Sequence, residues 1–190
     1  MEQFIVFLWE LFLVYLIISA FSVKRKRTVE YAGLWNGIIW RFIIVFIIII
    51  FIASYHGGVA KLSKWILWQE TFAIGIIADL IALAGFIVVV WARTTLGGNW
   101  SPTVALKENH EIIKRGPYAY VRHPMYSGLL LMALGTAIFF GHAFGFVLFL
   151  FFLIAFFTRA KGEEKLLSKH FPEEYPEYKK KTKMLIPFVW

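Results

Sequence analysis

The chain has 190 residues, of which 59% are hydrophobic and 19% aromatic, and its formal net charge is +8. A chain this apolar cannot cover a water-facing globule with polar side chains, so the composition excludes an ordinary soluble domain. The lack of cysteine in the sequence excludes disulfides, thiolate metal sites and cysteine nucleophiles.

Apolar runs divide the chain into five predicted membrane segments. A hydrocarbon core of about 30 Å takes roughly 20 helical residues to cross, and three of the runs reach that length while the last two are shorter. The runs are residues 4–23, 34–55, 72–92, 126–140 and 143–158. Because only Gly141 and His142 separate the last two, we expect a helical hairpin there. The predicted fold is all-α, a polytopic integral membrane protein with about five transmembrane helices.

Lysine and arginine lie mainly on one side of this predicted membrane. They cluster at residues 24–27, between the third and fourth runs, and after residue 158, whereas the other side carries Lys61 and Lys64. Cytoplasmic loops collect basic residues, which predicts an N-terminus outside and a cytoplasmic C-terminus. The first cluster follows the first run instead of preceding it, so this run is expected to stay as an anchor. Anionic lipid accounts for the basic charge, and no nucleic-acid partner is expected.

The chain is predicted to be one domain, residues 1–190, whose two halves differ. Residues 1–92 are interpreted as a transmembrane scaffold, with Asp79 inside the third run expected to make a structural polar contact. Residues 93–190 are interpreted as the functional half, because the polar loop at 101–124 is too long for an idle connector. After Thr158 the pattern becomes amphipathic, which predicts that the last helix continues until Pro172 or Pro176 interrupts it.

Three polar residues in this half are candidates for one site. Arg159 and Glu163 are spaced i and i+4, so they share a face of the continuing helix. An ordinary surface ion pair explains that spacing equally well. With His123 from the loop, the same residues could line a pocket holding a cation, an anion and an imidazole. Pro124 suits the first position of a helix beginning there. Spacing alone does not identify the ligand.

Three longer motifs connect the second half to a known family. They are LGGNWS at residues 96–101, NHEIIKRGPYAYVRHPMYSG at 109–128 and RAKGEEKLLSKHFPEEYPEYKKK at 159–181, followed by Pro187. In this order they resemble the isoprenylcysteine carboxyl methyltransferase family and its phospholipid methyltransferase relatives. The resemblance covers close to half of the chain.

The resemblance implies an integral membrane enzyme that depends on S-adenosylmethionine and releases S-adenosylhomocysteine. It implies a cofactor pocket between the cytoplasmic loop and the C-terminal helix, and a lipophilic or prenylated substrate that enters from the bilayer among membrane lipids. The favoured acceptor is the carboxylate of an isoprenylcysteine-like molecule. The alternatives are a phospholipid or another lipid acceptor methylated on nitrogen or oxygen, an NADPH-dependent membrane reductase of the sterol-reductase type, and a membrane adaptor without enzyme activity. No metal and no obligate protein partner are expected.

Carried over position by position, the resemblance also assigns the site. Arg159 faces the reacting group of the substrate, and His123 serves both catalysis and cofactor binding. The residues implied to bind the cofactor are His110, Glu111, Ile112, Ile113, Tyr118, His123, Pro124, Met125, Tyr126 and Glu163. A carboxylate acceptor needs no general base, whereas an amine or a phenol would need His123 or Glu163 to accept a proton. Gly162 departs from the more acidic family pattern, which leaves the substrate open.

Overall fold

A computed structural model of the chain describes residues 2–22, 28–31, 65–100, 105–107 and 110–187. Five helices account for most of these residues. They are α1 (Glu2–Ser22), α2 (Phe72–Leu96), α3 (Pro124–Phe140), α4 (Ala143–His170) and α5 (Glu174–Lys181). The predicted second run, residues 34–55, lies outside the described residues, so the count of five spans stays a prediction.

A short sheet adds to the predicted all-α architecture, which is confirmed for every long described element. Strand β1 (Thr28–Tyr31) pairs antiparallel with strand β2 (Ala105–Lys107). The pairing ties the segment after α1 to the polar loop that follows α2. Part of this long loop therefore has a structural role.

Local sequence signals set the helix ends. The hydroxyl of Thr71 accepts a hydrogen bond from the backbone N–H of Ile74 at the start of α2, and Pro124 occupies the first turn of α3, as predicted. Gly141 ends α3 with a left-handed φ of 61°. Helix α4 runs 28 residues without a break, well past Thr158, and ends just before Pro172. The predicted extension of the last helix is therefore confirmed.

Small residues let α2 and α3 approach closely along the most extensive helix contact in the described structure. A Cβ atom added at Gly128 would lie 2.6 Å from the carbonyl oxygen of Gly85, and one added at Gly135 would lie 2.6 Å from that of Ala78. Such close backbone contact is typical of helix pairs in membranes, where lipid gives no hydrophobic drive for association. Helix α3 thus contacts its sequence neighbour α4 less than it contacts α2.

The tight connection between α3 and α4 is held by the segment before α2. The backbone N–H of Leu67 donates to the carbonyl of Gly141 at 2.8 Å, and that of Ala143 donates to Trp65 at 2.9 Å. The indole of Trp68 donates to the carbonyl of Ile138 at 3.0 Å. These bonds fix the end of α3 and the start of α4. The polar residues of the two helices lie at the opposite end.

Large apolar side chains cover the outer faces of the helices. Two of the described helices are long and apolar enough to cross a membrane, over Phe72–Asn99 and Ala143–His170. Examples of exposed residues are Phe7 on α1, Leu80 on α2 and Ile154 on α4, which are 52%, 60% and 63% exposed. Continuous apolar surface of this extent suits lipid contact and does not suit water.

Candidate active site

The start of α3 and the polar extension of α4 meet at one end of the helix pair. Four residues that the sequence analysis placed in the site come together there: His123 and Tyr126 from the first element, and Arg159 and Glu163 from the second. Two elements separated by more than thirty residues in sequence thus build one polar cluster. Their contact is the arrangement on which the predicted site depends.

The carboxylate of Glu163 is the centre of this cluster. Its Oε1 atom accepts a hydrogen bond from the hydroxyl of Tyr126 at 2.5 Å and lies 3.4 Å from Nε of Arg159. Its Oε2 atom lies 3.2 Å from Nδ1 of His123. Nε of Arg159 donates to the oxygen of Tyr126 at 2.5 Å. The Glu163 side chain is 25% exposed, so part of this held side chain is accessible.

A second carboxylate, Glu164, forms a buried ion cluster beside the first. Its Oε1 atom pairs with Nε of Arg122 at 2.7 Å, and its Oε2 atom pairs with Nζ of Lys179 at 2.8 Å. Oε1 also lies 3.7 Å from Nε2 of His123, which is longer than a hydrogen bond. The sequence analysis assigned no site role to Glu164, Arg122 or Lys179. Only their charges were visible in the sequence, since their partners come from three separate segments.

Both carboxylates act on His123, which is buried between them. Burial alone lowers the pKa of His123, but the hydrogen bond with Glu163 and the negative charges of Glu163 and Glu164 outweigh burial and raise the pKa above the ordinary value of 6.5. The imidazole therefore keeps its proton to higher pH than a free histidine does. At neutral pH more of His123 is therefore protonated, and less of it is in the neutral form that a general base requires.

Stacked aromatic rings connect the charged cluster to the apolar part of α4. The rings of His123 and Tyr126 stack at 5.5 Å, and Tyr126 stacks on Phe156 at 5.1 Å with an interplanar angle of 3°. Phe152 continues the column at 6.1 Å from Phe156. The polar site thus passes directly into an aromatic, apolar zone of α4 within the same column of side chains.

The predicted cofactor segment before α3 lies against the C-terminal helices. The ring of His110 lies 6.2 Å from that of Phe171, and Lys114 pairs with Glu174 at 2.6 Å. Tyr118 is buried, and its carbonyl accepts a hydrogen bond from the hydroxyl of Tyr178 at 2.7 Å. Of the others, Glu111 is exposed, while Ile112 and Ile113 are half-buried.

The remaining two predicted site residues serve the packing of α3. Pro124 is buried at the first position of the helix. Met125 packs against the core cluster of Phe12, Val89 and Met132, on the side of α1 and α2. The described structure gives Met125 a packing contact, and its predicted part in cofactor binding stays a prediction.

Of the two charged residues inside α2, Arg93 differs from its expected setting. Arg93 was counted as a cytoplasmic loop residue, yet it is 2% exposed. It donates to the carbonyls of Ser19 at 3.0 Å and Gly97 at 3.2 Å, and its guanidinium lies 4.5 Å from the ring centre of Trp100. The buried Oδ1 atom of Asp79 has no hydrogen-bond partner among the described residues, and the expected polar contact of this side chain stays a prediction.

Comparison with known proteins matches the part of the chain that carries this cluster. A sequence model of the isoprenylcysteine carboxyl methyltransferase family matches residues 76–169, which include α3 and the polar residues of α4. Over this stretch the chain is similar to the family. The family resemblance drawn from the motifs is therefore confirmed.

Named relatives agree with this assignment. The protein-S-isoprenylcysteine O-methyltransferase of Saccharomyces cerevisiae is 34% identical over 130 residues, 63% of this chain and 54% of that protein. The protein of the same name from Homo sapiens is 30% identical over 153 residues, 72% of this chain and 52% of that protein. The chain thus spans about half the length of these curated relatives.

A solved structure shares the fold. The eukaryotic intramembrane Ras methyltransferase, an isoprenylcysteine carboxyl methyltransferase, superposes with a TM-score of 0.55 at 23% identity. The match covers 73% of this chain and 48% of that one. The two chains therefore share a helical fold.

Proposed function

We propose that this protein is an integral membrane methyltransferase that transfers a methyl group from S-adenosylmethionine to a lipophilic acceptor, the carboxylate of an isoprenylcysteine-like molecule. The observation that carries the proposal is the contact of His123 and Tyr126 with Arg159 and Glu163. This contact lies inside the stretch that matches the family.

The residues around this contact suit a nucleoside sulfonium such as S-adenosylmethionine. The partly exposed side chain of Glu163 carries a carboxylate that can accept hydrogen bonds from ribose hydroxyls or an amino group, and aromatic faces attract a sulfonium cation. Two buried polar atoms nearby, Nε2 of His123 and the hydroxyl of Tyr175, have no hydrogen-bond partner among the described residues. The site therefore has polar groups left to satisfy a ligand. When bound, S-adenosylmethionine supplies an activated methyl group.

Arg159 is proposed to orient the acceptor. A guanidinium fork pairs with a carboxylate through two parallel hydrogen bonds, which fixes direction as well as position. Tyr126 and Glu163 hold Arg159 from one side. A carboxylate acceptor is already ionised at neutral pH and needs no proton removed, which agrees with a His123 that tends to keep its proton.

The apolar surroundings support a lipid-borne acceptor. Phe156 and Phe152 extend the aromatic column from Tyr126 along α4, and exposed apolar side chains flank them on the same helix. A greasy chain that enters sideways from the bilayer can lie along such a surface while its polar end reaches Arg159. Together with this route we propose the predicted topology. The chain crosses the membrane several times, with the N-terminus outside and the C-terminus and the site on the cytoplasmic side.

Calorimetric titration of the detergent-solubilised protein tests the cofactor. S-adenosylhomocysteine is expected to bind and NADPH is not. Binding of NADPH alone would favour a reductase, and binding of neither would favour an adaptor. Either result would overturn the proposal.

Transfer of a tritiated methyl group tests the acceptor. Protein in lipid vesicles is supplied with labelled S-adenosylmethionine and either an N-acetylated S-prenylcysteine or phosphatidylethanolamine. Label is expected on the prenylcysteine, in a form released by mild base as an ester is. Arg159→Ala and Glu163→Ala are expected to abolish most transfer, and Glu163→Ala also to weaken S-adenosylhomocysteine binding. Lys165→Ala, an exposed change on the same helix, is the matched control.

A further inference from the structure

The last described residues, 182–187, form a C-terminal strap that lies along the chain just before α3. Val121 and Lys183 form a parallel bridge. The backbone N–H of Arg122 donates to the carbonyl of Lys183 at 2.8 Å, and that of His123 donates to Met184 at 3.1 Å. The strap therefore fixes the backbone of the residues that carry the polar site.

Side chains anchor this strap firmly to the helices. The hydroxyl of Ser127 donates to the carbonyl of Leu185 at 2.5 Å. Met184 and Leu185 are buried, and they pack in one core cluster with Phe156 and Ala160 of α4. A segment held by backbone pairing and by core packing is part of the folded unit.

One side chain, Arg122, joins the strap to the site. Its Nε atom donates to Glu164 at 2.7 Å, and its Nη1 atom donates to the carbonyls of Thr182 and, at 3.3 Å, Lys179. The Arg122 side chain is 7% exposed. Its guanidinium thus connects α4, the end of α5 and the start of the strap at a single buried point.

We propose that Arg122 is a positioning residue, which holds Glu164 and the C-terminal strap in place so that His123 stays directed at Glu163. The inference rests on the proposed function for its relevance to methyl transfer, but its geometry can be tested without that reaction. Arg122 itself need not touch either substrate.

The charges around His123 explain why this position matters. His123 is faced by Glu163 and Glu164 from α4 and by Tyr126 from its own helix, while Arg122 and Lys179 act on it through Glu164. Lys179 is 47% exposed, so its pairing with Glu164 is screened by solvent. Of the two cations that pair with Glu164, Arg122 is the buried one. Without it, the Glu164 carboxylate, 3.7 Å from Nε2, competes with Glu163 for the imidazole.

Three variants separate the two roles of Arg122. Arg122→Gln removes both the charge and most of the bonding fork. Arg122→Lys keeps the charge and loses the fork. Arg115→Gln is the matched control, because Arg115 is an exposed arginine of the same loop. Each full-length variant is studied in detergent by amide hydrogen exchange and by NMR titration of its imidazoles, with His123 assigned from a His123→Gln spectrum.

The expected results differ in kind between the variants. In Arg122→Gln, exchange of the Arg122 and His123 amides accelerates about tenfold relative to the α2–α3 core, and the titration midpoint of His123 rises by about one unit. In Arg122→Lys, exchange accelerates similarly while the midpoint stays close to that of the unmodified protein. If Arg122→Gln behaves like Arg115→Gln in both measurements, the inference is overturned. Arg122→Gln could instead lose amide protection throughout the protein. In that case the test is Arg122→Lys, and the inference is overturned if its amides at positions 122 and 123 exchange as fast as those of the unmodified protein.

Methyl transfer supplies the last readout. Arg122→Lys is expected to lower kcat about a hundredfold, as misplacement of catalytic groups does, with little change in KM for the lipophilic acceptor. An unchanged kcat overturns the positioning role. If the unmodified protein transfers no methyl group to any acceptor, the proposed function fails, while exchange and titration still decide whether Arg122 positions His123.

Discussion

The hydroxyl of Tyr126 lies between Arg159 and Glu163, accepting a hydrogen bond from Nε of the arginine and donating one to Oε1 of the glutamate, each at 2.5 Å. The direct distance between the two charged groups is longer, at 3.4 Å. The i and i+4 pair predicted from the sequence is therefore bridged by a phenol from another helix. This makes Tyr126 a structural partner of both charges.

Replacing Tyr126 by phenylalanine is expected to slow methyl transfer by about tenfold to a hundredfold, because a hydrogen bond to a charged group contributes about 1.5–3 kcal/mol. The aromatic stack on Phe156 is kept in this variant, so the change isolates the hydroxyl. The measurement is kcat together with S-adenosylhomocysteine affinity. Tyr120→Phe, which removes a hydroxyl from a side chain that is 57% exposed, should leave both quantities unchanged. Equal behaviour of the two variants would contradict the bridging role.

Sequence alone predicted those parts of the fold that depend on local signals. Pro124 predicted the start of α3, because proline acts on the backbone within one turn. Pro172 or Pro176 was predicted to end α4, and the helix ends before Pro172. Apolar runs predicted α1, α2, α3 and α4 because each helix needs a continuous stretch. The short sheet between residues 28–31 and 105–107 was not predicted, since neither strand has a pattern of its own.

The site was predicted only in part for the same reason. Arg159 and Glu163 are neighbours on one helix, so their spacing indicated a shared face. Arg122 and Glu164 are 42 residues apart, and no periodicity shows that they pair. Arg93 looked like a loop cation because its buried partners, the carbonyls of Ser19 and Gly97, are backbone atoms that carry no sequence signal. Long-range contacts to backbone atoms leave no pattern in the sequence.

Gly128→Ala is expected to destabilise the protein by about 1–3 kcal/mol, as overpacking of a tight contact does. The new Cβ would lie 2.6 Å from the carbonyl oxygen of Gly85 and 2.9 Å from the backbone nitrogen of Val89, so α2 and α3 must separate. The unfolding midpoint in detergent measures this. Gly145→Ala is the control, because its nearest neighbour is Cα of Ala137 at 3.3 Å and alanine favours the helix. Equal unfolding midpoints for Gly128→Ala and Gly145→Ala would show that stability does not depend on the close contact at Gly128.

Arg93→Met is expected to lower the free energy of unfolding by about 3 kcal/mol, because two hydrogen bonds from a charged donor are lost at a buried position. Methionine keeps much of the side-chain volume, so the effect reports the bonds to Ser19 and Gly97 more than packing. Denaturant unfolding followed by tryptophan fluorescence gives the value. Arg115→Met, at an exposed loop position, should change it little. If Arg93→Met lowers the free energy of unfolding no more than Arg115→Met does, the bonds of Arg93 to Ser19 and Gly97 do not stabilise the packing of α1 on α2.

The ionisation of His123 predicts how stability depends on pH. Burial alone would lower the pKa of His123, but Glu163 and Glu164 raise the pKa in the folded state above 6.5, the ordinary value expected for the unfolded chain. A group whose pKa is raised on folding stabilises the folded state fully below its unfolded pKa. That contribution is lost as pH rises through the folded pKa. His123 therefore favours the folded protein most on the acid side.

His123→Gln tests this sign directly. The difference in unfolding midpoint between the unmodified protein and His123→Gln is expected to be largest below the ordinary pKa of 6.5 and to shrink as pH rises through the folded-state pKa of His123. His170→Gln, which removes an exposed imidazole from the end of α4, is the matched control. A His123 difference that grows with rising pH would mean that burial outweighs the two carboxylates, and that His123 is neutral in the folded protein.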